Sequence, residues 1–455
     1  MTTGTELIEA TVERVAAALA APWPVTPQAA PVSLEGGIGA ALFLVELARR
    51  DPARLPAAHA LIAPAARALA GTASVGLSHG PAPVLAAVQA AARIGPHYPQ
   101  LRHTLTGHLA SAQLARVTAE PDGPGVGWSD YDVITGPTGT GRLLLAAVTE
   151  GDQVERAAAE PALRATLDRL VALSRPVTVD GRPVPGWWVP SDRQATDGDR
   201  RVFPRGDVNL GLAHGIAGPL ALLARSAEEG VTVGGQLDAV HRIAEWLAAR
   251  ADHDAYGPAW EPRLGLDAEL ARADAPADRA AAPQSSPHAA RFGAAWCYGA
   301  VGIATALYRA GRLTGQDDWC RLALHSAHAL GHRPGALDHL QGPTVCHGLA
   351  GLLQSLWRLA RLAEDEVLLD HCAGIAEQVA RQWDPAAAFG YRHVAPADRR
   401  RGWELGQPLG LEENPGVLEG AAGVAAALLS TLPGSTGGTG EPAPDPVWDR
   451  VLLLS

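Results

Sequence analysis

Lysine is absent from these 455 residues, so each of the 37 basic side chains is an arginine. Against 48 acidic residues they leave a formal net charge of -11 at pH 7. A protein that tracks nucleic-acid phosphates needs clustered cations, and this balance argues against that class. Cysteine occurs four times, too few to frame a disulfide-stapled secreted scaffold of this length. Long apolar runs are missing too: the longest candidate, Ala421 to Leu432, follows Glu419 and is shorter than the roughly 20 residues that span a bilayer. The first residues carry Glu6, Glu9 and Glu13 and no basic segment, unlike a secretory signal. Together these absences lead to the expectation of a cytoplasmic protein with no transmembrane segment and no nucleic-acid partner.

What is present is enough apolar material for a large core, at 47% hydrophobic residues. Two kinds of helical pattern alternate along the chain. In Leu7–Leu19, Leu163–Leu173, Leu237–Leu247 and Leu368–Val379, apolar residues recur every three or four positions with charges between them. That pattern buries one face. Ala40–Leu47, Leu143–Val148, Pro219–Leu223, Ala304–Leu307 and Ala421–Leu429 are apolar on nearly every side, as helices buried all round would be.

Glycine announces each helix of the second kind. The pairs Gly36/Gly39, Gly136/Gly139, Gly215/Gly218, Gly299/Gly302, Gly348/Gly351 and Gly420/Gly423 share one spacing, and a seventh turn, at Gly80, has Pro83 in the second position. Their first glycines stand 44, 56, 79, 84, 49 and 72 residues apart, room for one helical hairpin each. Repetition on this scale predicts helix pairs stacked on their neighbours. Without a Cβ, glycine lets the first turn of an inner helix approach its neighbour closely and tolerates the turn that leads in. The reading is one domain over 1–455. It carries a hairpin and loop insertion at 177–206, turning at Asp180-Gly181, and a mobile surface insertion at 268–290. A Pro/Gly linker at 433–446 precedes a short apolar tail that can dock on the body.

Three glycine turns place ligating or titratable side chains just before the first glycine: His214, then Cys297-Tyr298, then Cys346-His347. If the inner helices form a ring, these positions converge at one end of its axis. Two thiolates and one imidazole, from Cys297, Cys346 and His347, suit Zn2+ and leave a fourth position open. Adjacent Cys346 and His347 can both ligate only from an irregular turn, because helical neighbours diverge by about 100°. The alternative is that these cysteines merely pack, as free cysteine often does. Cys320 and Cys372, with His371 beside the latter, lie in one-face helices away from the glycine turns and read as packing residues.

The strings NLGLAHGIAG, WCYGAVG and CHGLAG, in this order, resemble the lanthionine synthetase C family of LanC-like cyclases, as do YDVITGPTG and LEGAAG. The resemblance covers essentially the whole chain. It implies an all-α fold, an α/α toroid of seven inner and seven outer helices, with one zinc in its mouth. It also implies an activity: joining a cysteine thiol to dehydroalanine or dehydrobutyrine in a dehydrated precursor peptide, to make a thioether ring. The residues matching the family's acid/base positions are His214 and Asp132. The physical logic agrees. Zinc would deprotonate a thiol whose free pKa is about 8.5, and the enolate that develops needs a positioned proton donor. In one respect the sequence departs from the pattern: the family's arginine before Trp-Cys-Tyr-Gly aligns with Gly293, and Arg291 lies two residues further upstream.

Three other readings compete. The same zinc could add a small thiol such as glutathione to dehydro residues. The chain could be a non-catalytic peptide-binding scaffold that keeps zinc for structure. A toroid glycosidase needs a pair of cleft carboxylates, and none stands out among the glycine turns. Helix repeats fill the chain, so dehydration falls to a separate dehydratase.

Overall fold

A computed structural model describes residues 4–24, 30–69, 76–119, 123–274, 293–337, 340, 342–396, 408–433 and 445–455. It opens with α1 (Gly4–Ala20) and continues through the hairpins α2 (Gly37–Ala48)/α3 (Leu55–Ala68), α4 (Pro81–Ala92)/α5 (Pro99–Val117) and α6 (Pro137–Thr149)/α7 (Gln153–Leu173). After the short helix α8 (Asp197–Val202) comes the hairpin α9 (Ala217–Glu228)/α10 (Gln236–Ala248), then α11 (Leu266–Asp274). The hairpins α12 (Ala300–Thr314)/α13 (Asp317–Leu330) and α14 (Leu349–Ala363)/α15 (Glu366–Arg381) follow, and α16 (Ala421–Thr431) is last.

Helices α2, α4, α6, α9, α12, α14 and α16 each pack on the next, and α16 packs back on α2, so seven inner helices form a closed ring. Every residue of α2 is buried, and so are the first twelve of α12 and of α14. The outer helices bury one stripe: on α10 it is Ala239, Val240, Ile243, Ala244 and Leu247. Burial of each large side chain there contributes about 1.5–3 kcal/mol. Six outer helices cover the inner helix that precedes them in the chain. The seventh, α1, packs on α16, so the first helix completes the last pair.

Space, rather than backbone freedom, explains most of the turn glycines. A Cβ on Gly423 would stand 1.8 Å from the Val417 carbonyl oxygen and 2.8 Å from Val345 of the preceding turn. Among the first glycines of the turns only Gly80 has a positive φ, at 92°.

Among the described residues, four two-stranded antiparallel sheets decorate the helices. β1 (Val177–Val179) and β2 (Arg182–Val184) join through Asp180 (φ 51°) and Gly181 (φ 77°). β3 (Asp207–Asn209) runs directly into the turn of His214 and pairs with β6 (Arg263–Gly265), while β4 (Asp252–His253) pairs with β5 (Pro258–Ala259). β7 (His393–Pro396) pairs with β8 (Leu409–Glu412). The insertion expected from 268 begins instead inside α11, where Leu266 and Leu270 are buried and Glu269 accepts from Trp246 and Arg250; 275–290 lies outside the described residues, as does 434–444 of the expected linker.

Residues 445–455 fill the middle of the ring. Trp448 and Leu454 are fully buried. Asp449 receives Arg358 (2.6 Å) and Gln354 (2.7 Å) of α14, and Glu46 of α2 accepts the Val447 and Trp448 N–H groups. Arg142 of α6 donates to the Ser455 carbonyl (2.7 Å), and the Leu452 carbonyl accepts from Trp296 (3.2 Å), next to Cys297. No helix among the described residues is long and apolar enough to cross a membrane.

Candidate metal centre and active site

The turns that precede the inner helices are joined to one another by main-chain hydrogen bonds. Leu34 donates to Ser78 (2.9 Å), Leu77 to Ile134 (2.8 Å), Val133 to Ala213 (3.0 Å) and Ala213 to Cys297 (3.2 Å). Cys346 donates to Leu418 (2.8 Å), and Val417 closes the circle onto Leu34 (3.1 Å). In each case the accepting carbonyl lies two places before a turn's first glycine. Among the described residues, the junction between turns five and six alone lacks such a bond. Cys297 and Cys346 occupy the equivalent position on its two sides, and His347 follows.

At that junction the ligand atoms of Cys297, Cys346 and His347 lie within 4.8 Å of one another. Cys297 Sγ is 3.0 Å from His347 Nδ1. Cys297 is 1% exposed, His347 is 7% exposed and Cys346 is half-buried. Donors on a tetrahedral zinc, with bonds of about 2.0–2.3 Å, stand about 3.6–3.8 Å apart, so the three fit that ion. The Cys346 thiol is pushed well above its ordinary pKa by its hydrogen bond to Cys297 and by burial. A divalent cation is what would let both sulfurs carry charge together.

The second constellation is one turn away. His214 Nδ1 lies 2.5 Å from Asp132 Oδ2. Asp132 is fully buried, and its Oδ1 accepts the N–H groups of Thr135 (2.7 Å) and Gly136 (2.5 Å) where α6 begins. Those two bonds fix the carboxylate, and the carboxylate fixes the imidazole. The His214 side chain keeps 24% exposure. Tyr298 joins the two groups: it follows Cys297 in the chain, and its ring centroid is 6.0 Å from that of His214. Burial pushes its phenol well above the ordinary range, so it stays protonated. The structure thus brings Cys297, Cys346 and His347 into one cluster and His214 and Asp132 into another, on neighbouring turns of one mouth.

Several residues here escaped sequence reasoning. Trp128 stacks on His214, with centroids 4.8 Å apart and planes at 18°. His393 of β7 is 1% exposed, bonds Thr344 (2.9 Å) and lies 6.4 Å from the His347 ring, behind turn six. Arg263 of β6 faces Trp128 at 5.0 Å; Gly293 supplies no side chain, and Arg291 lies outside the described residues. A periodic signal could have found Tyr298 and Glu35. The residue before the first glycine is polar in all seven turns: Glu35, His79, Thr135, His214, Tyr298, His347 and Glu419. Glu35 uses its carboxylate to accept the Leu418 (2.9 Å) and Glu419 (2.8 Å) N–H groups.

Cys320 and Cys372 sit on the outer helices α13 and α15, and burial pushes the Cys372 thiol up to about 12. His103, Asp152 and Glu155 also come within 4.8 Å of one another. Their roles are already taken: Asp152 caps α7, and Glu155 pairs with Arg102 at 3.1 Å.

The family described as lanthionine synthetase C-like protein matches residues 29–436. Among solved structures, one described as nisin cyclase has a similar fold, with a TM-score of 0.71 and 19% sequence identity over 98% of this chain and 96% of that one. No curated protein matches the sequence. With the family match running from the first inner helix through the last, the chain belongs to the lanthionine synthetase C-like family.

Proposed function

We propose that the protein is a zinc-dependent peptide cyclase that forms lanthionine and methyllanthionine rings. Its substrate is a precursor peptide whose serines and threonines a separate dehydratase has already converted to dehydroalanine and dehydrobutyrine. The observation that carries this reading is the meeting, in one mouth, of the Cys297–Cys346–His347 cluster with the His214–Asp132 pair. Zinc held by those three side chains would take the peptide sulfur at its open position and keep it deprotonated near neutral pH, where a free thiol of pKa about 8.5 is mostly protonated.

The chemistry balances without a co-reactant. A C–S bond forms at the β-carbon, the alkene π pair becomes an enolate, and the α-carbon takes one proton. The thiol has given up one proton, so peptide mass is unchanged. His214 is the group we assign to move protons at the α-carbon. Asp132 holds Nδ1 of the ring, fixes its orientation and stabilises the imidazolium when the ring is charged. We also assign the whole of 1–455 to one domain and place the reaction in the cytoplasm.

Free cysteine thiols are counted by alkylation before and after reaction with a dehydrated, cysteine-containing precursor. The protein should remove at least one alkylatable thiol, and chelation should abolish that effect. A precursor that stays fully alkylatable while glutathione couples to a dehydro peptide would replace this reading with small-thiol addition.

A further inference from the structure

His214 begins a run of four flat groups in contact. The imidazole stacks on Trp128 at 4.8 Å. The Arg263 guanidinium lies 5.0 Å from the Trp128 ring and 4.4 Å from the Phe203 ring. Every edge of that guanidinium is held. Nε meets Asp207 at 2.6 Å, one terminal nitrogen pairs with Asp199, and the other donates to Gln194 Oε1 at 2.6 Å. Gln194 in turn donates to Asp207 at 2.5 Å. Burial by itself would weaken the guanidinium's hold on its proton, but Asp207 and Asp199 outweigh it and hold the pKa above the ordinary value. In the β3–β6 ladder Arg263 sits opposite Asn209, five residues before His214. Three separate stretches, at 194–207, 263 and 128, therefore link in a chain of contacts that ends at one imidazole.

We propose that Arg263 is a positioning residue: clamped by Asp207, Asp199 and Gln194, it holds Trp128 flat against His214 and so keeps the imidazole aimed into the mouth. This rests on the cyclase reading, in which His214 must meet the α-carbon at a fixed place. A guanidinium is suited to the task because it is planar and forks its hydrogen bonds, whereas an ammonium carries the charge without the flat face.

The test compares Arg263→Gln, Arg263→Lys and Trp128→Leu, with cyclisation kinetics on a dehydrated precursor and NMR of histidine-labelled protein. Arg263→Gln strips two carboxylates of their cation. Trp128→Leu leaves that network intact and decides the matter if the Gln variant fails to fold. A misplacement of about 1 Å can cost about 100-fold in rate. All three variants should therefore lose about 10- to 100-fold in kcat, with KM for the peptide within about twofold of wild type and zinc content unchanged. The ring-current shift of the His214 imidazole should vanish in Trp128→Leu and move in both Arg263 variants. Full rescue by lysine would show that only charge is needed and would overturn the proposal. So would an unmoved His214 signal in folded Arg263→Gln, or wild-type kcat in Trp128→Leu. A wild-type protein that forms no rings, yet shows these NMR changes, would overturn the cyclase reading and leave the positioning by Arg263 standing.

Discussion

The junction between turns five and six differs from its six counterparts. At the six, neighbouring turns are closed by a main-chain hydrogen bond whose accepting carbonyl lies two places before a glycine. The side chain at that place is then free to be anything that packs, and it is Leu34, Ser78, Ile134, Ala213 or Leu418 at five of them. At the remaining junction the described residues make no such bond, and the same place holds Cys297 on one side and Cys346 on the other. A repeat built for packing has one joint left to side-chain chemistry, and three side chains that could hold a metal gather there. The middle of the ring is filled by different means. The tail at 445–455 is fixed by charge, chiefly through the fully buried Asp449 with Arg358.

The contrast between joint and scaffold can be broken by substitution. The largest effect is expected at the pair we assign to proton movement. His214→Asn and Asp132→Asn should each slow cyclisation by about 10² to 10⁴, the usual worth of positioned proton transfer, with zinc content and thermal unfolding unchanged. Wild-type rates in both would separate this pair from the reaction. Next in size is the tail. Asp449→Ala leaves the buried Arg358 without its main partner and should cost about 3–5 kcal/mol in denaturant unfolding. Zinc should stay bound, since the ligands we propose, Cys297, Cys346 and His347, belong to turns five and six. Loss of zinc with little loss of stability would show that the tail supports the metal turns more than the scaffold. Smallest is the effect of removing zinc from the wild-type protein. Amide exchange should quicken at 294–298, 344–345 and 347–348 while the donors of the six bonded junctions, Cys346 among them, keep their protection, because the large apolar core holds the fold without the metal. Unfolding of the whole chain on chelation would contradict that division.

Much of the ring was legible from the sequence because its determinants are local and repeated. The glycine pairs and the all-apolar segments behind them mark the inner helices, and the one-face segments mark the outer ones. Cys297, Cys346, His347 and His214 share a register with those glycines, so their convergence at one end follows once the ring is granted. The closed ring and the role we propose for Asp132 came from family resemblance, since Asp132 stands four residues before its glycine, out of that register. What could not be read lacks a register altogether. Trp128 reaches His214, and Arg263 reaches Trp128, from segments whose partners are distant in sequence, and His393 comes from a strand beyond the outer helix α15. The pairing of α1 with α16 is likewise a product of ring closure, for which no local pattern exists.

The most direct test of the central claim is zinc-edge X-ray absorption on the purified protein. The account predicts about one zinc per chain with two sulfur neighbours at about 2.3 Å and the remainder nitrogen or oxygen at about 2.0–2.1 Å. Cys297→Ala should lose the metal or show a single sulfur. Zinc surrounded only by light atoms, or an unchanged two-sulfur spectrum in Cys297→Ala, would contradict the assignment of this junction as the metal centre.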